Sequence, residues 1–247
     1  MSNGETREKS IVLVIAAAIV ALALGLGLNQ VGSGFAARTS EGISVTGSAR
    51  VEAKADKVVW NLNAEFVSPT QSVAVTRVTS SVEEIVKYLN EGGISSDAIE
   101  FGSLSAYGQE EWVNGASTGR ISSYRASRTV TVRTEDVETV KKLSTNLGTL
   151  LAQGVNVSNY GPQYYVSQLS DLRPQLLEQA VKDAQVRAEA IVAATGGSVG
   201  NVMSVRSGPF QVTSPDSVDT SAGGFYDTST IDKTITSTVT VVFKVNS

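Results

Sequence analysis

Residues 43–53 alternate strictly. Ile43, Val45, Gly47, Ala49, Val51 and Ala53 fall on one side of an extended chain; Ser44, Thr46, Ser48, Arg50 and Glu52 fall on the other. A period of two over this length predicts a half-buried strand. Lys54-Ala55-Asp56 reads as a turn and Val58–Phe66 as a second strand, so the two are expected to form a hairpin. Ser68-Pro69 then supplies a capping hydroxyl and a proline at the first helical position. In the helix they open, Val75, Val78, Val82, Ile85, Val86 and Leu89 make one apolar stripe, and Gly92-Gly93 ends it. Strands are expected near Ile99–Tyr107 and Ser122–Thr134, with a loop between them. Thr134 reads as the cap of a second helix carrying Val137, Val140, Leu143 and Leu147, followed by a strand near Val155–Val166. Ser170 is the expected cap of a third helix, with Pro174 in its first turn, a stripe of Leu177, Val181, Ala184, Ala188 and Ile191, and an end near Thr195. A strand over Val199–Ser207 and a long loop over 208–231 come next. In the final strand Ile235, Ser237, Val239, Val241, Phe243 and Val245 share one side. The order ββαββαβαββ predicts an α+β domain, a largely antiparallel sheet with three helices packed on one face.

Ahead of this domain Ile11–Leu28 reads IVLVIAAAIVALALGLGL, without a polar side chain. At about 1.5 Å per residue a helix of that length spans roughly 27 Å, close to the hydrocarbon thickness of a bilayer. It is longer than the apolar stretch of most cleavable signals, which favours a retained anchor. The competing reading is a signal peptide cleaved at Gly34-Phe35-Ala36. Arg7 and Lys9 on the near flank, against Arg38 on the far one, place the N-terminus in the cytoplasm and the large C-terminal part outside. Ala17, Ala21 and Gly25 recur at a spacing of four, which lets helices approach closely in lipid, although such residues are also common in these segments. The expected organisation is a cytoplasmic tail over 1–10, a transmembrane anchor over 11–28, a polar tether over 29–41 and one folded domain over 42–247.

The chain has 247 residues, a formal charge of −4, no cysteine and no histidine. No disulfide, thiol nucleophile, Ser-His or Cys-His pair and no His-based metal site is available. The absence of a long Lys/Arg run argues against a nucleic-acid partner. No cofactor is expected, and the residue types left for chemistry favour a non-enzymatic role. Two features hold candidate ligand or partner contacts, and two others only look like sites. Glu110, Glu111 and Trp112 lie together in an expected loop, where paired carboxylates beside an indole suit a sugar or a cation, or form only a solvated loop. Phe225-Tyr226 place two aromatics in a polar segment, fit to anchor a partner subunit or to pack on their own domain. Asp216, Asp219, Asp227 and Asp232 lack the spacing of a calcium loop. Gly196-Gly197-Ser198-Val199-Gly200 looks like a phosphate loop but follows a helix, where the dipole repels anions, so a helix cap is the better reading.

The order of motifs resembles the SIMPL-domain family of bacterial envelope proteins, which includes a periplasmic immunogen. The likeness covers residues 42–247. It rests on ISVTGSARVEAKADKVVWNLNAE, LNEGGISSDAIEF, SYRASRTVTVRTEDVETVKKL, GVNVSNYGPQYYVS, RPQLLEQAVKDAQVRAEAIVAATGGSVGNVMSV and STVTVVFKV, in that order. Ala55-Asp56 stands where relatives usually carry Pro-Asp. The resemblance implies an α+β domain in the periplasm or envelope, with no established activity and no catalytic residues to carry over. Some relatives form ring or channel-like homo-oligomers, and some are linked to oxidative-stress tolerance. The resulting expectation is a membrane-anchored, self-assembling envelope protein. The alternative is a periplasmic module that binds a small ligand or a partner protein.

Overall fold

The computed structural model describes residues 42–246. The elements run β1 (Gly42–Lys54), β2 (Lys57–Ser68), α1 (Gln71–Glu91), β3 (Ile99–Phe101), β4 (Ser105–Val113), β5 (Ala116–Thr134), α2 (Val137–Thr145), α3 (Gly148–Ala152), β6 (Val157–Tyr165), α4 (Leu169–Ala193), β7 (Ser198–Ser207), β8 (Gln211–Thr213), β9 (Phe225–Tyr226) and β10 (Asp232–Asn246). The class is α+β, but the strands form two sheets where one was expected. One sheet has the order β3-β5-β2-β6, with β4 also on β5; the other has the order β1-β10-β8-β9, with β7 also on β10. The first is antiparallel throughout. In the second β8 pairs β10 antiparallel and β9 parallel.

The expected β1–β2 hairpin does not form, because the two strands belong to different sheets. The reason lies in the backbone donors between them. Ala55 N–H bonds to the Ile231 carbonyl at 2.8 Å and Asp56 N–H to the Tyr165 carbonyl at 3.0 Å, so successive residues are drawn to separate partners. The Asp56 carboxylate then accepts from the Ser167 amide at 2.7 Å and the Ser167 hydroxyl at 2.5 Å. Burial acts to raise the Asp56 pKa, but these hydrogen bonds and nearby Lys57 outweigh it and hold it below 3.8. Lys54-Ala55-Asp56 is a corner between sheets.

The chain divides into two compact units: 47–183 with 207–239, and, of the described residues, 42–46 with 184–206 and 240–246. In the larger unit Ala74, Val78, Val82, Ile85 and Leu89 of α1 are buried, as the periodicity predicted apart from a small rotation toward Ala74. They share a core with Val58, Trp60, Leu62 and Ala64 of β2, and with Ala126, Val130 and Val132 of β5. Fully burying each large apolar side chain contributes about 1.5–3 kcal/mol. Trp60 is fully buried, and its indole N–H donates to Asn159 Oδ1 at 2.7 Å beside an irregularity in the β2–β6 register. A second cluster joins Val166, Leu176, Val212 and Ile235, with Ala49, Val51 and Ala53 of β1 packed against it. The β1 alternation is therefore as predicted, while α4 packs in a different core from α1, α2 and α3. In the smaller unit Val45, Ala184, Ala188, Val192, Val241 and Phe243 are buried.

Other expectations need local correction. Ser68 precedes α1, whose N-cap is Thr70; the Ser68 hydroxyl accepts from Thr70 N–H at 3.3 Å. Asp136, not Thr134, caps α2, accepting from Thr139 N–H at 3.1 Å, and the expected second helix is broken into α2 and α3 around Asn146-Leu147. Helix α4 opens at Leu169, so Pro174 lies inside it and cannot donate to the Ser170 carbonyl. The buried row of α4 is Leu176, Ala180, Ala184, Ala188 and Val192; Leu177 and Val181 are half-buried and Ile191 is exposed. Rows at spacing four are the ridges by which helices pack, and here small alanines make the close approach in place of the larger residues beside them. The final strand is central, paired with β1, β7 and β8.

Two measurements test this description. Asp56→Asn loses charge-assisted bonds to Ser167 and should lower stability at pH 7 by about 1–3 kcal/mol. A carboxyl whose native pKa is depressed stabilises above its unfolded value and loses that effect as pH falls through the native one. The gap between wild type and Asp56→Asn in urea unfolding should therefore close below pH 3.8. For the helix, Ala180→Asp, which buries an unpaired carboxylate, should abolish cooperative unfolding, whereas Leu177→Asp should remain folded. Equal damage from both would show that the buried row is misplaced.

Candidate functional site

The sequence Val113-Asn114-Gly115-Ala116 connects β4 and β5 through a two-residue turn. Asn114 and Gly115 have φ of 50° and 82°, the doubly left-handed turn that matches strand twist. Glu110, Glu111 and Trp112 accordingly lie on a strand, where a loop was expected. Residues 112–122 are all exposed, including Trp112 at 66%, Val113 and Ile121. β5 carries extra residues opposite β4 near Glu110, so β4 stays regular while β5 bulges. Successive β4 side chains then alternate between faces. Glu110 and Trp112 share the face of Ala106, whose partner Ala126 is buried against α1; Glu111 points to the other face. The carboxylates do not converge. Glu110 accepts from the Ser117 hydroxyl. Glu111 accepts from Thr118 Oγ1 at 3.0 Å and from Arg120 Nε and Nη2 at 2.9 and 2.6 Å. An arrangement with each acid held by side chains of β5 is suited to holding a hairpin, not to acid–base chemistry across one substrate.

A groove of about 540 Å³ runs beside α1 on the same face of the sheet. Val82 and Val86 form its helical wall, with Thr79, Glu83, Lys87, Asn90 and Glu91 along the rim. Phe101 and Arg128 form the floor. The Arg128 guanidinium lies 5.0 Å over the Phe101 ring, and its Nε donates to the Gly102 carbonyl at 3.0 Å. Among the described residues no carboxylate forms an ion pair with Arg128. Phe101 stays half exposed. No local pattern marks this groove, since Phe101 and Arg128 sit on strands that are not consecutive and meet only through the β3–β5 pairing.

The expected long loop contains β8 and β9. Tyr226 in β9 accepts from Val166 N–H through its hydroxyl at 2.8 Å and packs on Tyr165, while Phe225 is exposed. Asp227 accepts from the Ser229 amide and hydroxyl at 2.6 and 2.7 Å and from Thr230 Oγ1 at 2.9 Å. Lys233, which the sequence analysis does not single out, is a buried cation: Nζ donates to the Asp227 carbonyl at 2.5 Å and lies 3.9 Å from its carboxylate. Burial pushes the Lys233 ammonium pKa down against the opposing pull of Asp227. Its position two residues before Ile235, on the buried parity of β10, was the available signal. This cluster ties down the loop. After α4, Gly196 N–H and Gly197 N–H bond to the Ala193 and Val192 carbonyls, so the glycine run is a helix cap.

Among the described residues no cluster of His, Cys, Asp or Glu could hold a metal ion, and no helix is long and apolar enough to cross a membrane. The tail, anchor and tether expected over 1–41, with Ala17, Ala21 and Gly25, lie outside the described residues. A family model described as SIMPL, protein of unknown function (DUF541), matches residues 43–243. No curated protein matches the chain.

Replacing both acids of the hairpin, Glu110→Gln with Glu111→Gln, should leave the domain folded. The exposed Glu111–Arg120 pair contributes at most about 1 kcal/mol. A urea unfolding midpoint shifted by more than that would assign the pair a larger structural role.

Proposed function

The chain belongs to the SIMPL family, and from that premise we propose that it is a non-enzymatic, membrane-anchored envelope protein that assembles into a ring- or channel-like homo-oligomer and supports envelope integrity or stress tolerance. The reading has residues 11–28 hold the protein in the cytoplasmic membrane and the folded domain lie on the outer side. A chain without histidine or cysteine has few groups that exchange protons or electrons near neutral pH, so any protective effect is structural or indirect. The observation that carries self-assembly is the β4–β5 hairpin, whose outer part presents Trp112, Val113 and Ile121 to solvent. Apolar side chains grouped on a pairing element suit a protein contact. Tethering to one membrane raises the effective concentration of each copy, so modest contacts suffice.

The second reading, a module that binds a small envelope ligand or partner, draws on the groove beside α1. A volume of about 540 Å³ with an apolar wall, an aromatic ring and an arginine is of the size and mixed character of small-molecule sites.

The deciding measurement is molecular mass in mild detergent, for the full chain and for residues 42–247 alone. A multiple of 25.9 kDa is expected for the full chain, with weaker association once residues 1–41 are removed. A full chain that remains monomeric would overturn the assembly reading and leave the binding module as the better one.

A further inference from the structure

We propose that the β4–β5 hairpin of one copy docks in the α1–β3 groove of the next, an inference that rests on the self-assembly reading and names the surfaces that carry it. The two surfaces match in apolar character and in one pair of opposite charges, Glu110 on the hairpin and Arg128 in the groove, whose other lining charges, Glu83, Lys87 and Glu91, lie on α1. On the hairpin, Glu110 and Trp112 share a face of β4 and Ile121 is the cross-strand partner of Glu110, so an indole and a branched aliphatic flank one carboxylate. Ile121 lies directly over Gly108. In the groove, Val82, Val86 and Phe101 supply an apolar lining and Arg128 supplies the cation. Stacking on Phe101 and the Nε bond to Gly102 fix the guanidinium and leave its terminal nitrogens for a carboxylate. Lys87, by contrast, has Glu83 and Glu91 one turn away on either side.

The hairpin cannot fill the groove of its own chain. Glu110 pairs with Ile121, while Arg128 lies farther along the same strand β5. At about 3.3 Å per residue the two ends are roughly 20 Å apart on a continuous ladder. The hairpin can reach such a groove only on a second copy, which is the occupant this contact requires. Because hairpin and groove are different patches, the contact is head to tail: each copy gives its hairpin to one neighbour and its groove to the other. Such contacts close into a ring or continue as a filament.

Charge exchange tests the pairing. In the full chain in mild detergent, Glu110→Arg faces Arg128 with a like charge and should fall to monomer mass, as should Arg128→Glu. The double variant Glu110→Arg/Arg128→Glu should recover the wild-type mass. So should an equimolar mixture of the two single variants, in which every hairpin again finds a groove of opposite charge. Glu110→Arg lies on an exposed stretch of strand, so its mass alone decides whether the hairpin carries the contact, and recovery is read with Arg128→Lys as the folded control where Arg128→Glu lowers the urea unfolding midpoint. Single variants that keep the wild-type mass would overturn the hairpin-in-groove contact and leave self-assembly standing. Single variants that dissociate without recovery in the double variant or the mixture would also overturn it. A monomeric wild type would overturn both.

Discussion

The corner at Ala55-Asp56 decides the architecture. A turn returning β1 onto β2 would make one continuous sheet; a corner that sends successive amides to Ile231 and Tyr165 makes two. Asp56 adds a carboxylate that holds Ser167, so the start of β2, the end of β6 and the segment leading into β10 meet at one point. Two apolar clusters follow from this. Helices α1, α2 and α3 cover the sheet of β2 and β5, and the first half of α4 joins β1, β8 and β10. The carboxylate works at modest cost because both of its partners are hydrogen-bond donors and it keeps contact with water.

Much of this was legible from period alone. The alternations in β1 and β10 and the stripe of α1 depend on one face meeting a core, which any core imposes. What period cannot specify is which strand lies beside which. β1 and β2 are neighbours in sequence and still belong to separate sheets, because that choice rests on acceptors at Tyr165 and Ile231, more than a hundred residues away. The α4 error has a different origin. Leu177, Val181 and Ile191 weigh heavily in a hydrophobic count, yet a closely packed helix buries the residues that permit approach, here Ala180, Ala184 and Ala188. Ala184 and Ala188 are common to both rows, so the expected face was rotated by about one residue at each end.

The candidate site divides the same way. Glu110, Glu111 and Trp112 were visible as a polar-aromatic group, and Asn114-Gly115 carried the turn signal that makes their segment a hairpin. In a loop, two adjacent acids are free to converge on a ligand. Read as a strand, adjacent acids are obliged to diverge, and each finds a partner across the ladder. Lys233 was missed because a lysine at the start of an alternating strand looks solvent-facing. Its parity with Ile235, Ser237 and Val239 outweighs its residue type, and Asp227 and Thr230 supply the oxygens that make its burial tolerable.

An exposed hairpin carrying Trp112 and Ile121 is a hazard unless its contacts are selective. A flat edge offers backbone groups to any extended chain and invites indiscriminate pairing. Here the extra residues of β5 break the register near Glu110, which bends and twists the ladder. Charge on both faces adds a second barrier: Glu110 on one, the Glu111–Arg120 pair on the other. Under these constraints the backbone edge is a poor template and the side chains become the distinguishing feature of the surface. A partner must then match an indole, an aliphatic group and a carboxylate at fixed spacing. Val82, Val86 and Phe101, with the stacked guanidinium of Arg128, offer apolar groups and a cation of the matching kinds in a groove left partly open by the folded domain. The same pleat that separates Glu110 from Glu111 brings Glu110 and Trp112 to one face, so the geometry that argues against shared acid chemistry is the geometry that builds a contact surface.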